Sequence, residues 1–175
     1  MLTPDKIIEI FVKVDDFCKE FDAAIKKYRL ETEKYRVRNR EASLSDSEII
    51  TILIAFHSGY FTNLKHFYLC HICPYYKDDF PGLVSYNRFI ELQKRVAVPM
   101  MLFLKTHCPG ASRGINFIDS THIKVCHNRR IHNHRVFASV AERGRSSIGW
   151  FYGFKLHLII NDKGEILSFT LQKAM

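Results

Sequence analysis

The spacing of apolar residues changes once along the chain, near residue 110. Before that point they recur about every 3.5 residues, which is the interval of an amphipathic helix. The first such series is Ile7, Phe11, Val14, Cys18, Phe21, Ile25 and Tyr28. After that point, β-branched and aromatic residues dominate INFIDSTHIKV and GWFYGFKLHLIIND, as is typical of strands. The change predicts an α+β chain with a helical region, residues 1–110, followed by a β-rich region, residues 111–175.

The first helix is predicted to begin with Thr3 as its N-cap and Pro4 at its first position, where a missing N–H does no harm. We expect it to end within residues 26–40, which hold seven basic and two acidic side chains. That segment is either a solvated linker or an arm that contacts phosphates.

Two short helices are predicted next. Ser45 and Glu48 have the spacing of a capping box at a helix start, and Gly59 is a typical end. A further helix fits TNLKHFYLCHIC, and we expect Pro74 to stop it because proline lacks a backbone donor. Two helices with a glycine turn between them resemble a helix-turn-helix.

A longer helix is predicted after Ser85, with a kink or break near Pro99, and CPGASRG then forms the loop that closes the helical region. Three strands are expected beyond it. The last two form a hairpin, because NDKG is a tight-turn signal between extended segments. Asp162 and Glu165 are therefore interpreted as hairpin-turn residues.

The charge balance favours an anionic partner. Lys and Arg outnumber Asp and Glu by 26 to 18, for a formal net charge of +8. Nucleic acid is the leading candidate. Five cysteines at irregular spacing make no disulfide framework and suit a reducing cytosol. No apolar run is long enough to span a bilayer, so we expect a cytoplasmic protein without a membrane partner.

Asp119 is an acid in the middle of an apolar strand. Alternation places it on the same side as Phe117 and Ile123, which predicts a buried carboxylate. Burying an unpaired carboxylate costs several kcal/mol, so it should meet a cation, a metal or several donors. The alternative is a structural aspartate at a strand end that bonds neighbouring amides, with Ser120 and Thr121 in a local turn.

The segment from Lys124 to Lys155 is either a polyanion-binding surface, which its composition favours, or a solvated loop. Arginine forks match phosphate geometry, and Trp150, Phe151 and Tyr152 could stack on unpaired bases. Its basic residues are Lys124, Arg129, Arg130, Arg135, Arg143, Arg145 and Lys155, against Glu142 alone.

Sequence-specific contacts are predicted in the helices between Ser45 and Lys94. A helix can enter the major groove and present side chains such as Asn87 and Arg88 to base edges.

Two segments have cysteine and histidine at spacings that zinc sites use, CHIC at residues 70–73 and CHNRRIHNH at residues 126–134. The first has no second ligand pair and falls on an apolar helix end, which favours buried thiols. The second has arginines between its possible ligands, and these would repel a dication. We therefore do not predict a zinc site at either segment.

Several motifs together resemble the DDE transposases of bacterial insertion sequences, most closely the nine-eighty-two group. These motifs are SLSDSEIITILIAFHSGYFTNLKHFY, FIDSTHIKVCHNRRIHNHRVF, AERG and GWFYGFKLHLIINDKGEILSF, in that order. The resemblance spans nearly the whole chain.

The resemblance implies a helical region that binds terminal inverted repeats, then an RNase H-like domain in which three carboxylates hold two divalent metals, Mg²⁺ or Mn²⁺. Asp119 matches the first catalytic aspartate, a metal ligand. Two such metals would activate a water or a DNA 3′-hydroxyl and stabilise the leaving oxygen. The implied protein is nucleoid-associated and forms a homo-oligomer on DNA.

The second Asp and the Glu of that family have no counterpart before TLQKAM, so we expect a C-terminally truncated, incomplete RNase H-like domain. Such a chain is expected to be inactive alone. Two alternatives remain open: a non-catalytic DNA-binding fragment that acts as a repressor, and a DNA nuclease.

Overall fold

The computed structural model describes residues 3–32, 42–147 and 149–174, with the side chains of residues 28–32 excepted. Helices come first and an antiparallel sheet follows, so the predicted α+β order is confirmed. Contacts divide the chain into two units, Met1–Phe103 and Leu104–Met175. Within the described ranges, no helix is both long enough and apolar enough to cross a membrane.

The first unit is helical, and its last helix continues into the second unit. Its elements are α1 (Pro4–Thr32), α2 (Asp46–Ser58), α3 (Leu64–Phe67), a π-helix (Tyr68–Ile72), α4 (Cys73–Tyr75) and α5 (Tyr86–His107).

Helix α1 begins as predicted and runs further than its apolar pattern indicates. Thr3 Oγ1 accepts a hydrogen bond from the Lys6 amide (3.3 Å), and the helix continues to Thr32. Lysine, arginine and leucine are strong helix formers, and basic residues near a helix C-terminus are favourable. Part of the predicted linker is therefore helical, and residues 33–41 lie outside the described ranges.

Helix α2 has the predicted capping box. The Glu48 amide donates to Ser45 Oγ (3.1 Å), and the Ser45 amide donates to Glu48 Oε2 (2.6 Å). Gly59 caps the other end, where its N–H donates to the Phe56 carbonyl. The interior of the helix is fully buried at Ile49 and Ile50. The capping bonds set the ends of α2, and its buried side chains pack it into the helical core.

Pro74 does not stop the third helix, so that prediction is wrong. The Cys73 N–H bonds to the Tyr68 carbonyl five residues back, which makes a π-turn immediately before the proline. The turn shifts the hydrogen-bond ladder by one residue and places Pro74 in the first turn of the short α4, where no donor is needed. Helix α5 runs through Pro99 without a break, and a kink there stays a prediction.

In the described part of the chain, Tyr68 is the largest fully buried side chain of the helical core. Its ring stacks on Phe89, with centroids 4.5 Å apart, and its hydroxyl donates to the Val84 carbonyl at 2.6 Å. Burial, with a smaller contribution from Cys73, raises the pKa of Tyr68 to about 12. The phenol therefore fixes the segment before α5 to the π-helix.

Tyr68→Phe is expected to destabilise the helical unit by about 1–2 kcal/mol, because it leaves the Val84 carbonyl without its donor. An unfolded tyrosine has a pKa near about 10. Since the folded pKa is higher, Tyr68 adds stability below pH ~10 and loses it as pH rises toward ~12. Urea unfolding followed by helical circular dichroism at several pH values tests this. A variant whose stability declines above pH ~10 as steeply as that of the wild-type chain would contradict it.

The second unit is a four-stranded antiparallel sheet. Its strands are β1 (Asn116–Cys126), β2 (Glu142–Ser146), β3 (Gly149–Asn161) and β4 (Ile166–Lys173), with a 3₁₀-helix (Asn128–Asn133) between β1 and β2. The three predicted strands are present. Strand β2, in the segment ERGRS, was not predicted.

Strand β3 is the centre of the sheet. Strand β1 pairs along one side of it, while β2 and β4 pair in succession along the other. Leu158 thus faces Asp119 on one side and Phe169 on the other. A register shift between Lys124 and Cys126 marks a bulge in β1.

The hairpin between β3 and β4 is organised by Asn161, which is 1% exposed. Its Oδ1 accepts from the amides of Lys163 (3.0 Å) and Glu165 (2.9 Å). Its Nδ2 donates to the Ala111 carbonyl (3.0 Å) and to Glu165 Oε2 (2.6 Å). Gly164 has a φ of +79°. Glu165 therefore has a structural role in the turn.

Candidate nucleic-acid interface

The strand register divides the side chains of the sheet between two faces. Directly opposed residues share a face, and alternate residues along a strand do too. We call the side that carries Asp119 the aspartate face. It also presents Phe117, Thr121, Ile123, Arg143, Arg145, Trp150, Tyr152, Phe154, Leu156, Leu158, Ile160, Phe169 and Leu171. The opposite face presents Ser120, His122, Lys124, Phe151, Lys155, His157 and Thr170.

Asp119 is on the predicted face but is not buried. Its side chain is exposed, as are its neighbours Phe117 (55%) and Ile123 (43%). Strand β1 pairs with β3 along one of its edges, and solvent reaches the side chains of β1 on the aspartate face. The predicted burial is therefore wrong, and no buried partner is required.

The hydrogen bonding of Asp119 is local. Its Oδ1 accepts from the Ser120 amide at 2.7 Å. A bond to a neighbouring amide is what a purely structural aspartate is expected to make. The local turn expected with it is wrong, however, because Ser120 and Thr121 lie within β1. One carboxylate oxygen thus has a protein donor, and the side chain faces solvent from a regular strand.

A divalent metal needs more than this carboxylate. Mg²⁺ takes near-octahedral oxygen ligands and keeps several waters, and two-metal sites need several converging carboxylates. Within the described ranges, no group of three or more His, Cys, Asp or Glu side chains could hold a metal ion. Asp119 fits as one ligand, and the described residues do not complete a metal site.

The predicted basic residues lie on both faces of the sheet. Arg143 and Arg145 are on the aspartate face, whereas Lys124 and Lys155 are on the opposite one. All four are exposed. A single DNA segment lying on one face cannot reach both pairs at once.

The remaining arginines of this segment lie around the 3₁₀-helix. Arg129 and Arg130 are within it, Arg135 follows it, and all three are exposed. His127 caps the helix by accepting the Arg129 amide at Nδ1 (3.3 Å). The His134 and Phe137 rings stack, with their centroids 5.9 Å apart. The segment is therefore ordered, although its residues suggest a loop.

Only one of the three aromatic residues proposed for base stacking is accessible. Phe151 is 4% exposed and Tyr152 is 7% exposed, so stacking by these two is wrong. The Phe151 ring packs against His122, and the Tyr152 hydroxyl donates to the Phe137 carbonyl. Trp150 is 64% exposed.

Asn87 and Arg88 are exposed in the first turn of α5. Arg88 Nη1 lies 2.8 Å from Glu91 Oε2, and both side chains are more than half exposed. An exposed ion pair of this kind contributes little and exchanges readily for another anion. Both side chains are therefore accessible to DNA, and their role in recognition stays a prediction.

Comparison with known proteins finds a family match within the sheet unit. Residues 109–175 match the family described as "Transposase DDE domain". The matched range contains all four strands and Asp119. The match supports a DDE transposase, a class that generally uses divalent metal ions and acts on DNA. No curated protein and no solved structure matches the chain.

Proposed function

We propose that this chain is a transposase of a bacterial insertion sequence, of the nine-eighty-two group, that binds the terminal inverted repeats of its element. The observation that carries the proposal is the family match over the sheet that holds Asp119. In this proposal the sheet is the start of an RNase H-like domain. Asp119 supplies one carboxylate ligand for Mg²⁺ or Mn²⁺.

The electrostatics support a DNA ligand. The chain carries a formal net charge of +8, and two exposed arginines share the face of Asp119. A guanidinium binds phosphate through two parallel hydrogen bonds, which positions the backbone as well as attracting it. DNA held by Arg143 and Arg145 would therefore lie on the side of the sheet where Asp119 is exposed.

The helical unit is proposed to read the inverted repeats, with Asn87 and Arg88 at the start of α5 contacting base edges. Asparagine and arginine make bidentate contacts with adenine and guanine, respectively. Helices α2 and α3 would serve as the helix-turn-helix-like support. Phosphate contacts from the sheet unit would add affinity without sequence preference.

Binding of the 175-residue chain to the element's end DNA and to a shuffled duplex of equal length tests the proposal. We expect at least about tenfold tighter binding to the end DNA, from one or two base contacts worth about 1–3 kcal/mol each. Asn87→Ala with Arg88→Ala should remove the preference. Lys94→Ala, an exposed change further along α5, is the matched control and should keep it.

Asp119→Asn should bind both duplexes as the wild-type chain does, because it removes a metal ligand and no DNA contact. Absence of binding to either duplex at low salt would overturn the proposed function. Equal affinity for the two duplexes would overturn the assignment of sequence recognition.

A further inference from the structure

Trp150 is a large aromatic side chain held in the open. Its indole is 64% exposed, while its backbone is fixed on both sides. On one side it pairs with Arg145 of β2. On the other, Asn128 Nδ2 donates to the Trp150 carbonyl at 2.8 Å, beyond the point where pairing with β1 ends. The backbone that carries the indole is therefore bonded to a neighbouring element on each side.

Two guanidinium groups share the face of the indole. Arg145 of β2 is directly opposite Trp150. Arg143, two residues earlier on β2, is a diagonal neighbour of Trp150. Directly opposed Cβ atoms in a sheet are about 5 Å apart, and diagonal ones are within reach of long side chains. An exposed ring flanked by cations on one face suits a ligand that has both a flat ring and negative charge.

These arginines are free to bind such a ligand. Among the residues that the structure describes, neither arginine forms an ion pair, and the nearby Glu142 is held by Lys173 at 3.0 Å. The cation–π contacts in the described ranges involve Lys65 and Lys105, so no guanidinium covers the indole.

The site is separate from Asp119. Leu158, which is opposite Asp119, lies eight residues along β3 from Trp150. At about 3.3 Å per residue the two positions are up to roughly 26 Å apart on one face. Trp150 would therefore hold DNA at a distance from the carboxylate.

We infer that Trp150, Arg143 and Arg145 form a binding site for an unpaired nucleobase of a DNA strand. The base stacks on the indole, and the phosphates on either side of it bind the two guanidiniums. The base must be unpaired, because both faces of a base within a duplex are covered by its neighbours. The inference rests on the proposed function in taking DNA as the ligand and adds that part of this DNA is single-stranded.

Trp150 is the single tryptophan of the chain, so its own fluorescence reports the contact. The experiment titrates the 175-residue chain with a mixed-sequence single strand of about 20 nucleotides and, separately, with the fully paired duplex of the same sequence. We expect the single strand to quench the indole emission on binding, because a base stacks on the ring. The duplex should bind without comparable quenching.

Variants are compared by the fluorescence anisotropy of labelled DNA. Trp150→Ala should weaken single-strand binding about tenfold and duplex binding less than twofold. Trp150→Phe, which keeps a flat ring, should stay within about threefold of the wild-type chain. Arg143→Gln with Arg145→Gln should weaken binding of both forms of DNA.

The inference is overturned if the bound single strand leaves the emission unchanged, or if Trp150→Ala weakens single-strand and duplex binding equally. Duplex binding that persists in either case leaves the proposed function standing. If neither form of DNA binds, the proposed function fails together with the site.

Discussion

DNA affinity of this chain is expected to fall by roughly 500-fold when monovalent salt rises from 50 to 200 mM, if five arginines contact phosphates. Each neutralised phosphate releases counterions and adds about 0.9 to the slope of log affinity against log salt. The five are Arg129, Arg130, Arg135, Arg143 and Arg145, all exposed. Anisotropy titrations of a labelled duplex at four or more salt concentrations measure the slope.

The two faces of the sheet provide a matched comparison for this slope. Arg143→Gln with Arg145→Gln removes two cations from the aspartate face and should lower the slope by about two. Lys124→Gln with Lys155→Gln removes the same charge from the opposite face and should leave the slope nearly unchanged. Equal reductions by both pairs would show that attraction depends on net charge and not on a defined face. An affinity that does not change with salt would contradict phosphate contact altogether.

Local signals in the sequence predict those elements whose ends depend on nearby residues. The Ser45 and Glu48 side chains bond the amides of their own helix, so a spacing of three residues is enough to place the start of α2. The turn NDKG is likewise placed by its own residues, although Asn161 also donates to the carbonyl of the distant Ala111. For such elements the sequence pattern and the structure agree.

The errors arise where the outcome depends on more distant contacts. A proline is expected to end a regular helix, but a π-turn just before Pro74 places it in the first turn of α4, where it needs no donor. Strand β2 has no apolar residue in ERGRS, and it becomes a strand because β3 offers an edge for it to pair with. A hydrophobic pattern cannot detect a strand of that kind.

Asp119 shows which part of the candidate site could be predicted. Alternation along the strand correctly places it on the same face as Phe117 and Ile123, because the period of two is fixed by backbone geometry. Its burial could not be derived in this way, since that depends on what covers the face. The same limit applies to Phe151 and Tyr152, whose burial depends on contacts with His122 of β1 and with the segment around Phe137.

Gly153 is the position in the sheet where a single methyl group should have the largest effect. It is buried in β3 and lies between Lys124 of β1 and Glu142 of β2. A Cβ at this position would lie well under 3.0 Å from the Ile123 carbonyl oxygen and 3.2 Å from the Val125 amide nitrogen. These are backbone atoms beside the bulge in β1, so no side-chain rotation can relieve the clash.

Gly153→Ala is therefore expected to destabilise the sheet unit by about 3 kcal/mol, since relief of the overlap requires β1 to move away from β3. Amide hydrogen exchange of β3 reports on this unit, because the amides of a central strand exchange only when the unit opens. Gly59→Ala, followed by exchange of the α2 amides, is the control: its Cβ would meet the movable Phe61 ring at 3.3 Å, and a change below about 1 kcal/mol is expected. A Gly153→Ala chain as stable as the wild-type chain would show that β1 does not pack this closely on β3. In that case the register that places Asp119 and Trp150 on one face would have to be reconsidered.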